Sequence, residues 1–198
     1  MDLPVPDIVL ITALSITVFG ALCTALVLTM LNLRTPRTAP LAVAAGLLVL
    51  AVVVVSVTPV GVPALLGAII ALLAIAVAVF GGNPITRRVL DIATGGRVRE
   101  TADGGILLPA RRDPAAAAGE MEPLLRGGTT IGYLERLAVA VGVIAGYPEA
   151  IAVIVAIKGI GRFSELAAAE ARERFIIGTL ASLVWACVCG AIVRLALW

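Results

Sequence analysis

The chain has no histidine, a single lysine and three cysteines, and it is only 4% aromatic and 14% charged. Without histidine it lacks the usual general base and the commonest metal ligand. Cys23, Cys187 and Cys189 form no C-x-x-C pair. Two residues apart on a helix, Cys187 and Cys189 point in different directions, so they read as buried thiols rather than a metal or redox site. No P-loop, G-x-S-x-G, H-E-x-x-H or dinucleotide fingerprint is present, and the paired glycines lack the strand-then-helix context of a phosphate cradle. No metal, cofactor or catalytic residue is therefore expected. Arginine pairs interleaved with acids, with few aromatics, also argue against nucleic acid.

What the chain has is hydrophobicity: 61% of its 198 residues are apolar and the mean hydropathy is +1.10. That is far above a soluble domain of this size. Ile8–Leu33, Pro40–Val57 and Val62–Gly82 carry no charge, and about 20 such residues cross a bilayer core as a helix. None shows the alternation of a membrane barrel strand. The first run has no positive flank, since only Asp2 and Asp7 precede it, and it is too long for a signal peptide, so it reads as a retained first helix. The expected fold class is an all-α integral membrane protein: three transmembrane helices in 1–82, a polar cytoplasmic linker over 83–130, then a helical hairpin (or one kinked helix) and a last transmembrane helix in 131–198. Arg34 and Arg37 follow the first helix, seven arginines follow the third, and the second loop has none. The positive-inside rule then puts the N-terminus outside and 83–130 in the cytoplasm.

The linker is nearly neutral, rich in Gly-Gly pairs and proline, and too poor in apolar residues to build a core, so mobility is expected. Within it, Ile85–Ala93 sets Val89, Leu90 and Ile92 against Arg87, Arg88 and Asp91. This is either a short helix at the lipid headgroups or an ordinary charged exit from the third helix.

Residues 131–162 as one helix would be roughly 48 Å long, too long for a straight crossing. It would also leave Lys158, Arg162, Arg172 and Arg174 outside. A break relieves both problems. Gly146 suits the position after a helix C-terminus, Pro148 the first turn of the next helix, and Glu149 the positive end of its dipole. Arms of about 131–145 and 148–163 follow, re-entrant or in a thinned bilayer. Glu135 and Arg136 then open one arm and Lys158 and Arg162 close the other, so the four share an interface where they can pair or snorkel. Glu149 is either a helix cap or an ion-binding carboxylate. Ala138, Gly142, Gly146 and Ala150 recur every four residues, as do Gly178, Ser182, Ala186 and Gly190. These ridges are expected to pack on each other or on a second copy. Ser164–Arg174 reads as a surface helix with a Glu170–Arg174 pair.

The pattern G-x-x-I-G-x-L-E-R from Gly128, E-A-I-A-x-x-x-A-I-K-G-x-x-R-F-x-E-L from Glu149, and E-R-F-I-I-G-T-L-x-S-L-x-W-A from Glu173 resembles a group of uncharacterised, mainly actinobacterial, membrane proteins. It is also similar to the C-terminal membrane part of a wider bacterial family known only as a domain of unknown function. The resemblance covers about the last 60 residues and implies a bacterial inner-membrane location and no known activity. Three function classes fit: a non-catalytic scaffold, accessory subunit or regulator with a membrane-protein partner or a second copy; a small transporter or channel using Glu149, Lys158 and Arg162; and a lipid-modifying enzyme at the cytoplasmic face.

Overall fold

The structure, a computed structural model, describes residues 5–58, 61–95, 99–100, 106–107, 128–161 and 169–197. Among the described residues four helices are long and apolar enough to cross a membrane: α1 (Val5–Leu31), α2 (Thr38–Val57), α3 (Ala64–Ala93) and α6 (Ala169–Leu197), the first and last counted as spans from Asp7 and Ala171. Between α3 and α6 come a two-residue antiparallel pairing, β1 (Arg99–Glu100) with β2 (Ile106–Leu107), and two shorter helices, α4 (Gly128–Ile144) and α5 (Ala150–Gly161). The chain is an all-α multi-pass membrane protein. In hydrocarbon every backbone group needs an internal partner, and uninterrupted apolar helices supply it locally. Hydroxyls inside these helices do the same: Thr12, Ser15, Thr24 and Ser56 each donate to the carbonyl four residues back.

Charge and turn chemistry set the ends. Past α1, the Asn32 side-chain amide donates to the Leu28 carbonyl while its oxygen accepts the Arg37 N–H, closing the loop to α2. Pro40 lies in the first turn of α2, where no intrahelical N–H bond is lost. At the opposite end of the bundle, the Val62 N–H donates to the Ala196 carbonyl and ties the α2–α3 loop to the end of α6. One end thus carries Arg34, Arg37, Arg87 and Arg88 and is called the basic end below.

The helix α3 outlasts its apolar run. Ile85–Ala93 is not a separate headgroup helix but the continuation of α3 through Pro84 to a stop at Gly95, whose φ is +61°. It stays helical because neighbours clamp it. Arg87 donates to the Leu33 carbonyl, Arg88 donates to Thr38 Oγ1 and also pairs with Asp91, and Leu90 lies against Gly178 of α6. The rest of the 83–130 segment lies mostly outside the described residues.

The C-terminal third folds as a hairpin, not as one kinked helix. Tyr147 N–H donates to the Gly142 carbonyl at 2.8 Å and Gly146 N–H to the Val143 carbonyl at 3.0 Å, with Gly146 at φ +75°. This pair of bonds around a left-handed glycine satisfies the last carbonyls of α4. Pro148 and Glu149 form the turn that follows, so α5 begins at Ala150 rather than at the proline. The bend lies against Arg194, three residues before the end of α6. The first arm therefore reaches across most of the bundle. Glycine and other small residues let α6 approach α4 closely, Gly190 lying against the Ala140 carbonyl and Val143.

Helices α3 and α6 form the centre, with α1, α2 and α4 packed around them and α5 against α4. Val18, Leu22, Leu48, Ile70, Val77, Val139 and Ile192 are fully enclosed, whereas Ile16, Leu65 and Ile160 face outward, as lipid permits. Of the expected surface helix Ser164–Arg174, residues 162–168 lie outside the described residues. Ala169–Arg174 are the first turns of α6 itself, and the Glu170 side chain expected to pair with Arg174 is also outside the description. At Gly146 a Cβ would meet the Arg194 guanidinium at 3.1 Å in a backbone conformation that L residues resist. Gly146→Ala is expected to destabilise the purified protein by about 1 kcal/mol or more. Gly20→Ala, with open space around it, should leave the melting temperature nearly unchanged.

Candidate functional site

The polar residues of the bundle interior gather around α4. Glu135 and Arg136 are adjacent, so their side chains leave the helix about 100° apart. One turns towards α5 and the other into the bundle. Glu135 accepts an ion pair from Lys158 Nζ at 2.5 Å, with side-chain exposures of 9% and 17%. Lys158 also lies 5.8 Å from the ring centre of Phe175 on α6. The pair fixes the two antiparallel arms in register, as the expected hairpin requires.

Arg136 behaves differently from expectation. It does not snorkel to an interface shared with Lys158; it is 4% exposed and inserted between α3 and α6. Its Nε donates to the Val79 carbonyl at 2.9 Å and its Nη1 to Ser182 Oγ at 3.1 Å, and its guanidinium carbon lies 5.3 Å from the Tyr133 ring centre. The arrangement follows from α3. Pro84 has no N–H for the Phe80 carbonyl, so the turn before it is loosened. Gly81 and Gly82 strip that turn of side chains. A Cβ on Gly82 would overlap the Arg136 side chain, its Nε at 2.6 Å. A Cβ on Gly81 would sit 2.8 Å from Trp185, whose indole N–H donates to the Val77 carbonyl at 2.9 Å. The glycine pair is a notch cut for one arginine and one tryptophan.

Depth can be read along the chain. Gly82 lies five residues before Arg87, and Thr29, which faces Gly81, lies five before Arg34. At about 1.5 Å per residue Arg136 is therefore roughly 7 Å inside the ring of arginines at the basic end.

The other expected residues are not brought to this place. Glu149 is exposed at the hairpin bend, nine residues along α5 from Lys158, roughly 13 Å away. Among the described residues its carboxylate has no hydrogen-bond partner. Arg162 lies outside the described residues. The two small-residue ridges do not interlock as expected. On α6, Ser182 holds Arg136, Ala186 is fully buried, Gly190 faces α4 and Gly178 faces Thr86 and Leu90 of α3. On α4, however, Gly142 faces Ala150 and Tyr147 within the hairpin, and Ala138 is exposed. The α4 face that meets α6 is instead Arg136, Val139, Ala140 and Val143. Missed altogether were Gly81 and Gly82, which read as the mere end of an apolar run. Their signal is the spacing G-G-x-P at the end of a span.

Comparison with family models, curated proteins and solved structures finds no match to this chain. Among the described residues no group of three or more Cys, Asp or Glu side chains is placed to hold a metal ion.

The ion pair is directly testable. In a double-mutant cycle of Glu135→Gln and Lys158→Met, unfolding of the purified protein should show a coupling of about 1–3 kcal/mol. Additive losses would mean the arms are not held by this contact.

Proposed function

We propose that the protein is a non-catalytic component of a bacterial cytoplasmic membrane, a scaffold, accessory subunit or regulator of a larger assembly. The observation that supports this best is how the interior polar groups are used. Glu135 is taken by Lys158, Arg136 by a carbonyl and a serine, and Trp185 by another carbonyl. Each of these bonds joins one helix to another. Between the level of Arg136 and that of Arg194, the facing segments of α3, α4 and α6 carry no ionisable group except the weakly acidic Cys187 and Cys189. The buried Ser15 hydroxyl is spent on its own helix. A solute would find no chain of polar partners across the bundle, which disfavours the transporter reading. The exposed position of Glu149 disfavours it further, since an ion site at that depth draws on enclosure and convergent ligands.

The orientation that fits is N-terminus outside and basic end in the cytoplasm, because Arg34, Arg37, Arg87 and Arg88 share one end. The resemblance of residues 128–186 to actinobacterial membrane proteins supports a bacterial inner membrane, and the preference for arginine over lysine is compatible with such a source.

Single cysteines in a cysteine-free background read the orientation. Thr35→Cys should react with a membrane-impermeant maleimide only after the cells are opened, whereas Tyr147→Cys should react in intact spheroplasts; the reverse pattern overturns it. In proteoliposomes the wild-type protein should carry no proton or cation flux above protein-free vesicles. A flux abolished by Glu149→Gln, with expression unchanged, would replace the scaffold reading with the transporter one.

A further inference from the structure

Beside Arg136, at the basic end, α3, α4, α5 and α6 enclose a cavity of about 160 Å³, open on one side. Among the described residues its charged lining is Arg136, Lys158 and Arg174, with no carboxylate. The nearest acid, Glu135, is spent on Lys158 at 2.5 Å. Arg136 and Arg174 therefore form no ion pair with a described acidic side chain. Arg136 is held by neutral acceptors only, through Nε and Nη1. Its Nη2 has no bond to a described residue, yet it is not among the enclosed unpartnered atoms, so it opens on the cavity. Arg174 is half-buried at the rim and makes no hydrogen bond or ion pair with a described residue.

Thr86 stands in the wall of the same cavity. Its Oγ1 is enclosed and, among the described residues, is the one buried side-chain polar atom without a hydrogen-bond partner. Thr12, Ser15, Thr24, Ser56 and Thr94 all give their hydroxyls to the carbonyl four residues back. Thr86 does not, and it lines the cavity instead, as does Thr179.

We propose that this cavity binds a phosphate group, with Arg136 Nη2, Arg174 and Lys158 as its cationic partners. A buried guanidinium matched only by neutral acceptors is costly in a membrane protein, and an oxyanion is the partner that offsets it. Two guanidinium groups and an ammonium brought together from α4, α6 and α5 suit a tetrahedral oxyanion with several acceptor oxygens. The same charge repels a metal cation. Two sources can deliver the group: the headgroup of an anionic phospholipid, or free inorganic phosphate. The level of Arg136 at its inner end, roughly 7 Å inside the arginine ring, and the outward-facing Ile157 and Ile160 on α5, 66% and 78% exposed, favour the lipid. The cavity takes the headgroup phosphate while the acyl chains stay on the apolar outer face of α5. The proposal does not depend on the scaffold reading.

The test uses the full chain purified in a neutral, phosphate-free detergent. Native mass spectrometry measures dissociation constants for phosphatidylglycerol and for phosphatidylcholine of the same chain length, and calorimetric titration measures inorganic phosphate. Phosphatidylglycerol should bind at least about tenfold more tightly than phosphatidylcholine. Arg174→Gln should weaken it by about tenfold, the worth of one charge-assisted hydrogen bond. Arg88→Gln, a basic-end arginine outside the cavity, should change it by less than about twofold. Inorganic phosphate that binds and is lost in Arg174→Gln assigns the free anion as the source instead. Equal affinity for the two lipids with no phosphate binding overturns the proposal, and so does an equal loss in Arg88→Gln and Arg174→Gln. Arg174 has no partner to lose among the described residues, so its variant is expected to fold, which elution volume and melting temperature check. Arg136→Lys, which keeps the charge but not the fork, should weaken binding without abolishing it.

Discussion

The bundle is organised by the need to satisfy one guanidinium away from water. Moving an arginine into a membrane interior costs at least about 2.5 kcal/mol, and far more on an isolated helix. Arg136 meets that cost with two directed bonds, to Val79 of α3 and Ser182 of α6. Those bonds dictate the neighbourhood. Gly82 has no side chain because the arginine stem occupies its place, and a Cβ on Gly132 would stand 3.2 Å from the same guanidinium. Ser182 must be small enough for close approach and polar enough to accept. Three helices distant in sequence thus acquire one common level.

Placing an acid next to that arginine suggests that the two form an ion pair. Helix geometry prevents it, since adjacent side chains do not face one another. Glu135 is turned to α5 and takes Lys158, while Arg136 keeps its charge inside the bundle. The same two residues therefore do opposite things. One closes an ion pair that fastens a short, otherwise unburied helix to its neighbour, and the other leaves a positive site. Had Glu135 stood four residues from Arg136, it would have cancelled the charge that gives the cavity its character.

The sequence made the class, the spans and the hairpin legible because they depend on local chemistry. Charge-free runs declare membrane helices, and Gly146 followed by Pro148 declares a break, found with the backbone bonds that a left-handed glycine cap demands. Pairing of Glu135 with Lys158 was legible too, given the hairpin. What stayed hidden is what two distant segments must know of each other. Nothing near Arg136 says that its acceptors lie at Val79 and Ser182, and nothing near Gly81 and Gly82 says what fills the space they leave. On α4 the small-residue ridge is not the face that meets α6, for the same reason. A four-residue period identifies a face that permits close approach, but which helix approaches is decided by Arg136, and it turns a different face of α4 to α6. Ile85–Ala93 looked able to lie at the headgroups by its own pattern, and contacts from the α1–α2 loop, α2 and α6 keep it in line with α3.

The two acceptors of Arg136 also bear on how the bundle comes together. Val79 precedes the arginine in the chain by 57 residues and Ser182 follows it by 46. With α3 alone in place, the guanidinium has one carbonyl and a notch. The serine, the tryptophan that fills the other half of the notch, and the Phe175 ring beside Lys158 all arrive with α6. The hairpin therefore cannot reach its final packing as a separate unit, because the groups that satisfy its charges belong to helices on either side of it in sequence. Loss of α6 would leave Arg136 partly unmatched and Gly190's close approach to α4 unmade at once. Cooperativity of this kind puts stability where the charge is, and it explains why the apolar helices α1 and α2 leave more of their surface to lipid than α6, which supplies directed contacts.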